Sequence, residues 1–212
     1  MRGFCICAAI ALLAVFFTSV ATAGTVIISQ GLFESRGDYQ DGELYATLSG
    51  VPGMPNGVRI GTFCVEMSEP LDLDISYNAD VSTAAIKGST TSQDPLGPKT
   101  AWLYYQYYIG NIVIDTGAKA TDFQYAIWKL EDEDTQDAAD WASISPYWGT
   151  EAQAYYDMAM ASSWTDIGPV RVLNLGSAPD YPIQDILIIP EPATIGLFML
   201  GGLMVRLAGR KN

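Results

Sequence analysis

The sequence contains no histidine. That excludes Ser-His-Asp and Cys-His catalysis, His-ligated zinc and histidine pH switching together. Basic residues are scarce: 11 stand against 24 acids, for a formal net charge of −13. Four of the 11, Arg2, Arg206, Arg210 and Lys211, lie in the terminal segments, leaving 7 bases against 23 acids between them. A stretch that acidic repels phosphate backbones, so nucleic acid is not expected as a partner. Cysteine is nearly absent. Cys5 and Cys7 fall at the extreme N-terminus, so a chain that loses its leader keeps Cys64 alone and can form no internal disulfide. What is plentiful is apolar: 49% of residues are hydrophobic and 17% charged, the composition of a chain with a real core.

Both ends read as addresses. Met1-Arg2 precedes an apolar run from Phe4 to Phe17, which gives way to Ala21-Thr22-Ala23. This is the layout of a secretory signal peptide over residues 1–23, with signal peptidase cutting between Ala23 and Gly24. At the other end stand Pro190-Glu191-Pro192, an uncharged stretch from Ala193 to Val205, and a basic tail over 206–212 carrying Arg206, Arg210 and Lys211. Those bases favour a cytoplasmic end. Thirteen helical residues reach only about 20 Å, short of a typical hydrocarbon core, which points to a transient rather than permanent transmembrane helix. The segment 190–212 resembles the PEP-CTERM sorting signal of Gram-negative and related bacteria, a tail also named after an ice-binding protein. No regular threonine ladder accompanies it here. The resemblance implies cleavage by an exosortase, an inner-membrane-anchored precursor, and release to the cell surface or to exopolysaccharide, in the manner of other removable tails.

Residues 24–189 are then the extracytoplasmic domain. Thr25 to Ser29, Glu43 to Leu48, Val58 to Met67 and Leu71 to Tyr77 are rich in Val, Ile and Tyr and are separated by Gly, Pro and Asn, which predicts strands. From Lys99 the period changes. Trp102, Tyr105 and Ile109 suit one helix, Phe123, Ala126, Ile127 and Leu130 a second, and Glu151 to Trp164 a third. Val170 to Leu175 and Asp185 to Ile189 return to strand. The expected fold is α+β: an antiparallel sandwich- or barrel-like frame with a central helical insert, flanked by the N-terminal signal helix and the C-terminal transmembrane helix.

Two segments carry candidate chemistry. In Thr62-Phe63-Cys64-Val65-Glu66-Met67, strand alternation sets Cys64 with Thr62 and Glu66 on one face and Phe63, Val65 and Met67 on the other. In Phe123-Gln124-Tyr125-Ala126-Ile127-Trp128, helical spacing groups Gln124, Ile127 and Trp128. Phe63-Cys64 followed by Gln124-Tyr125-Ala126-Ile127-Trp128 resembles the paired motifs of internal thioester domains in bacterial surface adhesins. Lys99-Thr100-Ala101-Trp102-Leu103-Tyr104 between them is similar to a segment of PEP-CTERM relatives of that type. The resemblance covers roughly residues 60–135. It implies that the Cys64 thiolate attacks the Gln124 side-chain amide, expels ammonia, and leaves a thioester that acylates a surface amine or hydroxyl. Glu66 is a candidate base, although its charge opposes a thiolate, and Tyr125 and Trp128 are candidates to exclude water. No cofactor, no metal and no enzymatic turnover are implied.

Other readings of the same residues stay open. A buried cysteine is commonly inert. Thr121-Asp122-Phe123-Gln124 also spells a capping box. Glu131 to Asp134 with Asp137 and Asp140 lacks the spacing of a calcium loop and reads as a solvated helix end. Trp102, Tyr104, Tyr105, Tyr107 and Tyr108 offer aromatic faces to sugars, so a noncovalent carbohydrate- or matrix-binding biofilm protein is the alternative function.

Overall fold

The computed structural model describes residues 24–31, 42–67, 69–86, 93–133, 138–176 and 183–191. Pro192, Arg206, Arg210, Lys211, Ala23, both terminal helices and the proposed tail therefore lie outside the described residues. Gly24 is the first residue of β1, and Pro190 and Glu191 close the described chain.

The fold is mixed α+β, built on an antiparallel and nearly barrel-shaped sheet. Its strands are β1 (Gly24–Gln30), β2 (Leu44–Ser49), β3 (Val58–Thr62), β4 (Ser76–Ser82), β7 (Arg171–Leu175) and β8 (Ile186–Ile188), in spatial order β3-β2-β1-β4-β7-β8. A small hairpin of β5 (Ala84–Ile86) and β6 (Gln93–Pro95) stands apart. Among the described residues there are four α-helices: α1 (Pro98–Tyr108), α2 (Gly117–Leu130), α3 (Ala138–Ile144) and α4 (Thr150–Ala161). None of them is long and apolar enough to cross a membrane.

The alternation of each strand sorts its side chains between two cores. Val26 and Ile28 of β1, Leu44, Ala46 and Leu48 of β2, and Ile186 and Ile188 of β8 meet on one face. Val172 and Leu187 point the other way, to Leu103 and Tyr104 of α1, Phe123 and Ile127 of α2, and Tyr155 of α4. Helix α2 is buried on every side from Ala120 to Trp128, because Tyr125 and Trp128 enter the first core while Phe123, Ala126 and Ile127 enter the second. The buried span also holds the polar residues Thr121, Asp122 and Gln124, and the helix joins the two cores.

The outer strands β3 and β8 come together where the chain leaves β3. Cys64 forms an isolated antiparallel bridge with Ile186. The flanking bonds run from the Leu187 amide to the Phe63 carbonyl (3.1 Å) and from the Val65 amide to the Asp185 carbonyl (2.9 Å). The Thr62 hydroxyl adds a bond to the Leu187 carbonyl at 2.6 Å. The seam of the barrel is thus one residue wide, and that residue is Cys64.

Several expectations are corrected. The strand expected over Val58 to Met67 stops at Thr62, since beyond Cys64 the backbone turns toward α2. The strand expected over Leu71 to Tyr77 lies later, at Ser76–Ser82, after a turn whose Asp74 has φ +61°. Helix α2 starts at Gly117, with Thr116 as its cap accepting from the Lys119 amide (3.2 Å), so Thr121 is interior and caps nothing.

Candidate thioester site

Cys64 and Gln124 are in direct contact. In an antiparallel bridge of this type the paired residue's own N–H and C=O point away from its partner strand. At Cys64 those two groups face α2, and the Gln124 side chain takes both. The Cys64 amide donates to Gln124 Oε1 at 2.8 Å, and Gln124 Nε2 donates to the Cys64 carbonyl at 2.8 Å. The glutamine amide fills the ladder position that another strand would occupy. Both residues are sealed from solvent, with Gln124 at 0% exposure and Cys64 at 1%. Cys64 is in no disulfide. It does not lie on a polar face, as strand alternation alone suggests; it belongs to the apolar core that also holds Ile186, Tyr125 and Trp128.

The turn after Cys64 is pinned through the Glu66 carbonyl. Trp128 Nε1 donates to it at 3.0 Å, and Gln184 Nε2 donates to the same oxygen. Trp128 lies one helical turn beyond Gln124, so a single face of α2 holds the nucleophile's backbone and the turn that follows it. Tyr125 stacks on Trp128 with ring centroids 5.8 Å apart. The Met67 amide donates to Glu133 Oε2 at 3.3 Å.

Four buried acids surround this turn: Glu66, Glu69, Glu133 and Asp185. Neither Glu66 oxygen meets an N–H donor. Its neighbour is the Glu69 carboxyl, and the two share a hydrogen bond only when one of them carries a proton. Burial, that bond, and the charges of Glu69, Asp185 and Glu133 push the Glu66 carboxyl far above the usual carboxylate range. That shift favours the protonated form, which lessens the charge that would oppose a thiolate at Cys64 and equally lessens the capacity of Glu66 to act there as a base. Asp185 is the better-furnished acid. Its Oδ2 accepts from the Ile86 amide (2.7 Å) and its Oδ1 from the Leu175 amide (2.8 Å). Desolvation still outweighs those bonds and pushes its carboxyl up to about 7.

Among the described residues the acidic run after α2 is solvated only in part, at Asp132 and Asp140. Glu131 and Glu133 are buried at 9% and 1% exposure, and Glu131 accepts from the Gly97 amide, just before α1, at 3.1 Å. The residues 134–137 lie outside the described set. The aromatic run of α1 is largely interior as well: Tyr104 is fully buried, Tyr107 bonds the buried Glu43 at 2.5 Å, and Tyr108 is the exposed member. Sequence reasoning missed Gln184, Asp185, Glu69 and Glu133. Gln184 and Asp185 approach Cys64 only because β8 closes the barrel, and no local spacing signals that. No group of three or more His, Cys, Asp or Glu among the described residues is arranged to hold a metal ion.

No protein-family model matches the chain, and no curated protein matches it significantly. Two solved structures are similar to it. One is the N-terminal thioester domain of a surface protein from Clostridium perfringens, at 15% identity and a TM-score of 0.45, covering 78% of this chain and 97% of that one. The other is the N-terminal thioester domain of the fibronectin-binding protein SfbI from Streptococcus pyogenes, at 13% identity and a TM-score of 0.44, covering 83% of this chain and 97% of that one.

Proposed function

We propose that this chain is an exported surface protein that attaches covalently to its target through an internal thioester between Cys64 and Gln124. The observation that carries the reading is the paired 2.8 Å hydrogen bonding of the Gln124 amide to the Cys64 backbone, which holds the amide carbon against the cysteine in a dry site. In the closing step Cys64 sulfur bonds to the Gln124 side-chain carbon, the C–N bond breaks, and the thiol proton leaves with the nitrogen as ammonia. The Cys64 N–H is already aimed at Oε1, where negative charge develops in the tetrahedral intermediate, and acts as an oxyanion donor. The product is an acyl group that an amine or hydroxyl takes once, freeing the thiol. Such a protein is a chemical anchor without turnover.

The sorting reading rests on the sequence of 190–212. An exosortase would act near Pro190-Glu191-Pro192 after the membrane helix 193–205 and Arg206, Arg210 and Lys211 arrest export, and the protein would pass to the surface or its exopolysaccharide.

Intact-mass analysis of the purified mature protein tests the thioester. The expected mass falls one ammonia below that of the sequence, and Cys64→Ala restores the missing mass. A full sequence mass together with a Cys64 that alkylates under native conditions overturns the proposal.

A further inference from the structure

The two hydrogen bonds between Gln124 and Cys64 do not fare alike in the closing step. Oε1 stays on the acyl carbon and keeps the Cys64 amide as its donor. Nε2, which donates to the Cys64 carbonyl at 2.8 Å, departs as ammonia. The thioester form therefore lacks a hydrogen bond that this carbonyl has beforehand, in a site where Cys64 is 1% and Gln124 0% exposed. The bonds to β8 on either side use the Phe63 carbonyl and the Val65 amide, so the Cys64 carbonyl faces α2 and the acyl group. It borders the place that the leaving nitrogen vacates.

The geometry points to the Cys64 main-chain carbonyl as the group that orients the attacking nucleophile, and to a primary amine as the nucleophile it selects. The inference rests on the thioester reading for its acyl group and adds what opens it. Opening by an amine is the closing step run backwards, so the incoming nitrogen takes the place of Nε2. A primary ammonium first loses one proton to solvent. Its nitrogen lone pair then bonds to the Gln124 side-chain carbon, and the C–S bond breaks with its electrons on sulfur. One of the two protons left on nitrogen passes to the Cys64 thiolate. The other stays and donates to the Cys64 carbonyl, restoring the bond that Nε2 makes. A secondary amine or a hydroxyl brings a single proton into the same step and gives it to sulfur. The tertiary amide or ester that results has nothing to donate. Water keeps a proton as a primary amine does, and burial of the pair, not this carbonyl, holds it off. Recovering one hydrogen bond inside a protein corresponds to about fivefold in rate.

Ethylamine and dimethylamine test this, because they are isomers of which only the first keeps an N–H after acylation. The purified mature protein is exposed to each at equal concentration of free base, and adducts are followed by intact mass. Each rate is divided by that of the same amine with a small soluble thioester, which removes the difference in intrinsic nucleophilicity. After that division ethylamine is expected to lead dimethylamine by about fivefold. Isopropylamine, bulkier but primary, is expected to stay with ethylamine. A lead under about threefold, or isopropylamine falling back with dimethylamine, overturns the proposal. Nα-acetyl-lysine and glucosamine in the same assay distinguish a protein amine from an amino sugar as the source, and failure of both to outpace dimethylamine also overturns it. The two readings fail in different ways. Ammonia loss with unselective adducts sinks the selection of primary amines and leaves the thioester standing, whereas a full sequence mass with no adduct sinks both.

Discussion

Asp185 and Glu66 are both nearly inaccessible carboxyls beside the Cys64 turn, at 1% and 2% exposure, and they live in opposite circumstances. Asp185 has a backbone amide on each oxygen and ties β5 and β7 to the start of β8. Glu66 has no amide on either oxygen and faces three other acids. The first is what a buried acid looks like when it holds a fold together. The second is tolerated against the fold's interest, next to the residues proposed to react. The difference teaches that burial alone does not assign a role; the partners do.

The sharpest way to break the comparison is to delete the satisfied acid. Asp185→Ala leaves the buried Leu175 amide and the part-buried Ile86 amide without acceptors; a fully buried orphan costs roughly 1–3 kcal/mol, and one that water reaches costs less. The expected loss is about 2–4 kcal/mol, read as a drop in the denaturant midpoint with little change in slope. Because the Asp185 carbonyl also accepts from Val65, the loosened β8 should expose Cys64 to alkylation in the variant. A loss under about 1 kcal/mol would mean that Asp185 braces nothing.

The unsatisfied acid should answer with the opposite sign. A carboxyl whose folded pKa lies above its unfolded value near 4.5 contributes its stability fully below about pH 4.5 and loses it as pH rises toward the folded value. The native protein therefore weakens on going from acid to neutral pH, with Glu66 and Asp185 both contributing. Glu66→Gln keeps the shape and cannot ionise, so it should be more stable than the native sequence at pH 8 by on the order of 1–3 kcal/mol, and should flatten the profile above pH 4.5. Denaturation curves across that range check it. A variant less stable than the parent at pH 8 would show that the Glu66 charge is welcome and the contrast with Asp185 false.

The same contrast marks what the sequence could disclose. Elements with a strong local period were legible: β2, β7, β8 and three of the helices lie within a few residues of where Val/Ile alternation or apolar spacing places them. The motif resemblance names Cys64 and Gln124, and the structure sets the backbone of one and the amide of the other 2.8 Å apart. Whatever depends on closure was not legible. The end of β3 is set by the approach of β8, far along the chain, and no alternation within Val58 to Met67 encodes it. The acids fail for a related reason: Glu131 and Glu133 look solvated in a run of charges, and only the docking of α2 against the Gly97 turn and the Met67 turn buries them.

Glu131 stands between the two extremes and should give the smallest response. Burial pushes its carboxyl up to about 7, while the Gly97 amide, which donates to it, pulls the other way. It also sits at the N-terminal end of α1, where negative charge interacts favourably with the helix dipole by roughly 0.3–1 kcal/mol. Glu131→Gln retains an oxygen for the Gly97 amide, gives up that dipole term above neutral pH, and escapes the cost of burying a charge. The raised value is the net of these opposing effects, so Glu131→Gln should gain stability at pH 8, by less than Glu66→Gln does. What must change is the profile: the part of the stability lost between about pH 4.5 and 7 that belongs to Glu131 should vanish. A large loss at every pH would place Glu131 with Asp185 as a brace, and a large gain at pH 8 would place it with Glu66.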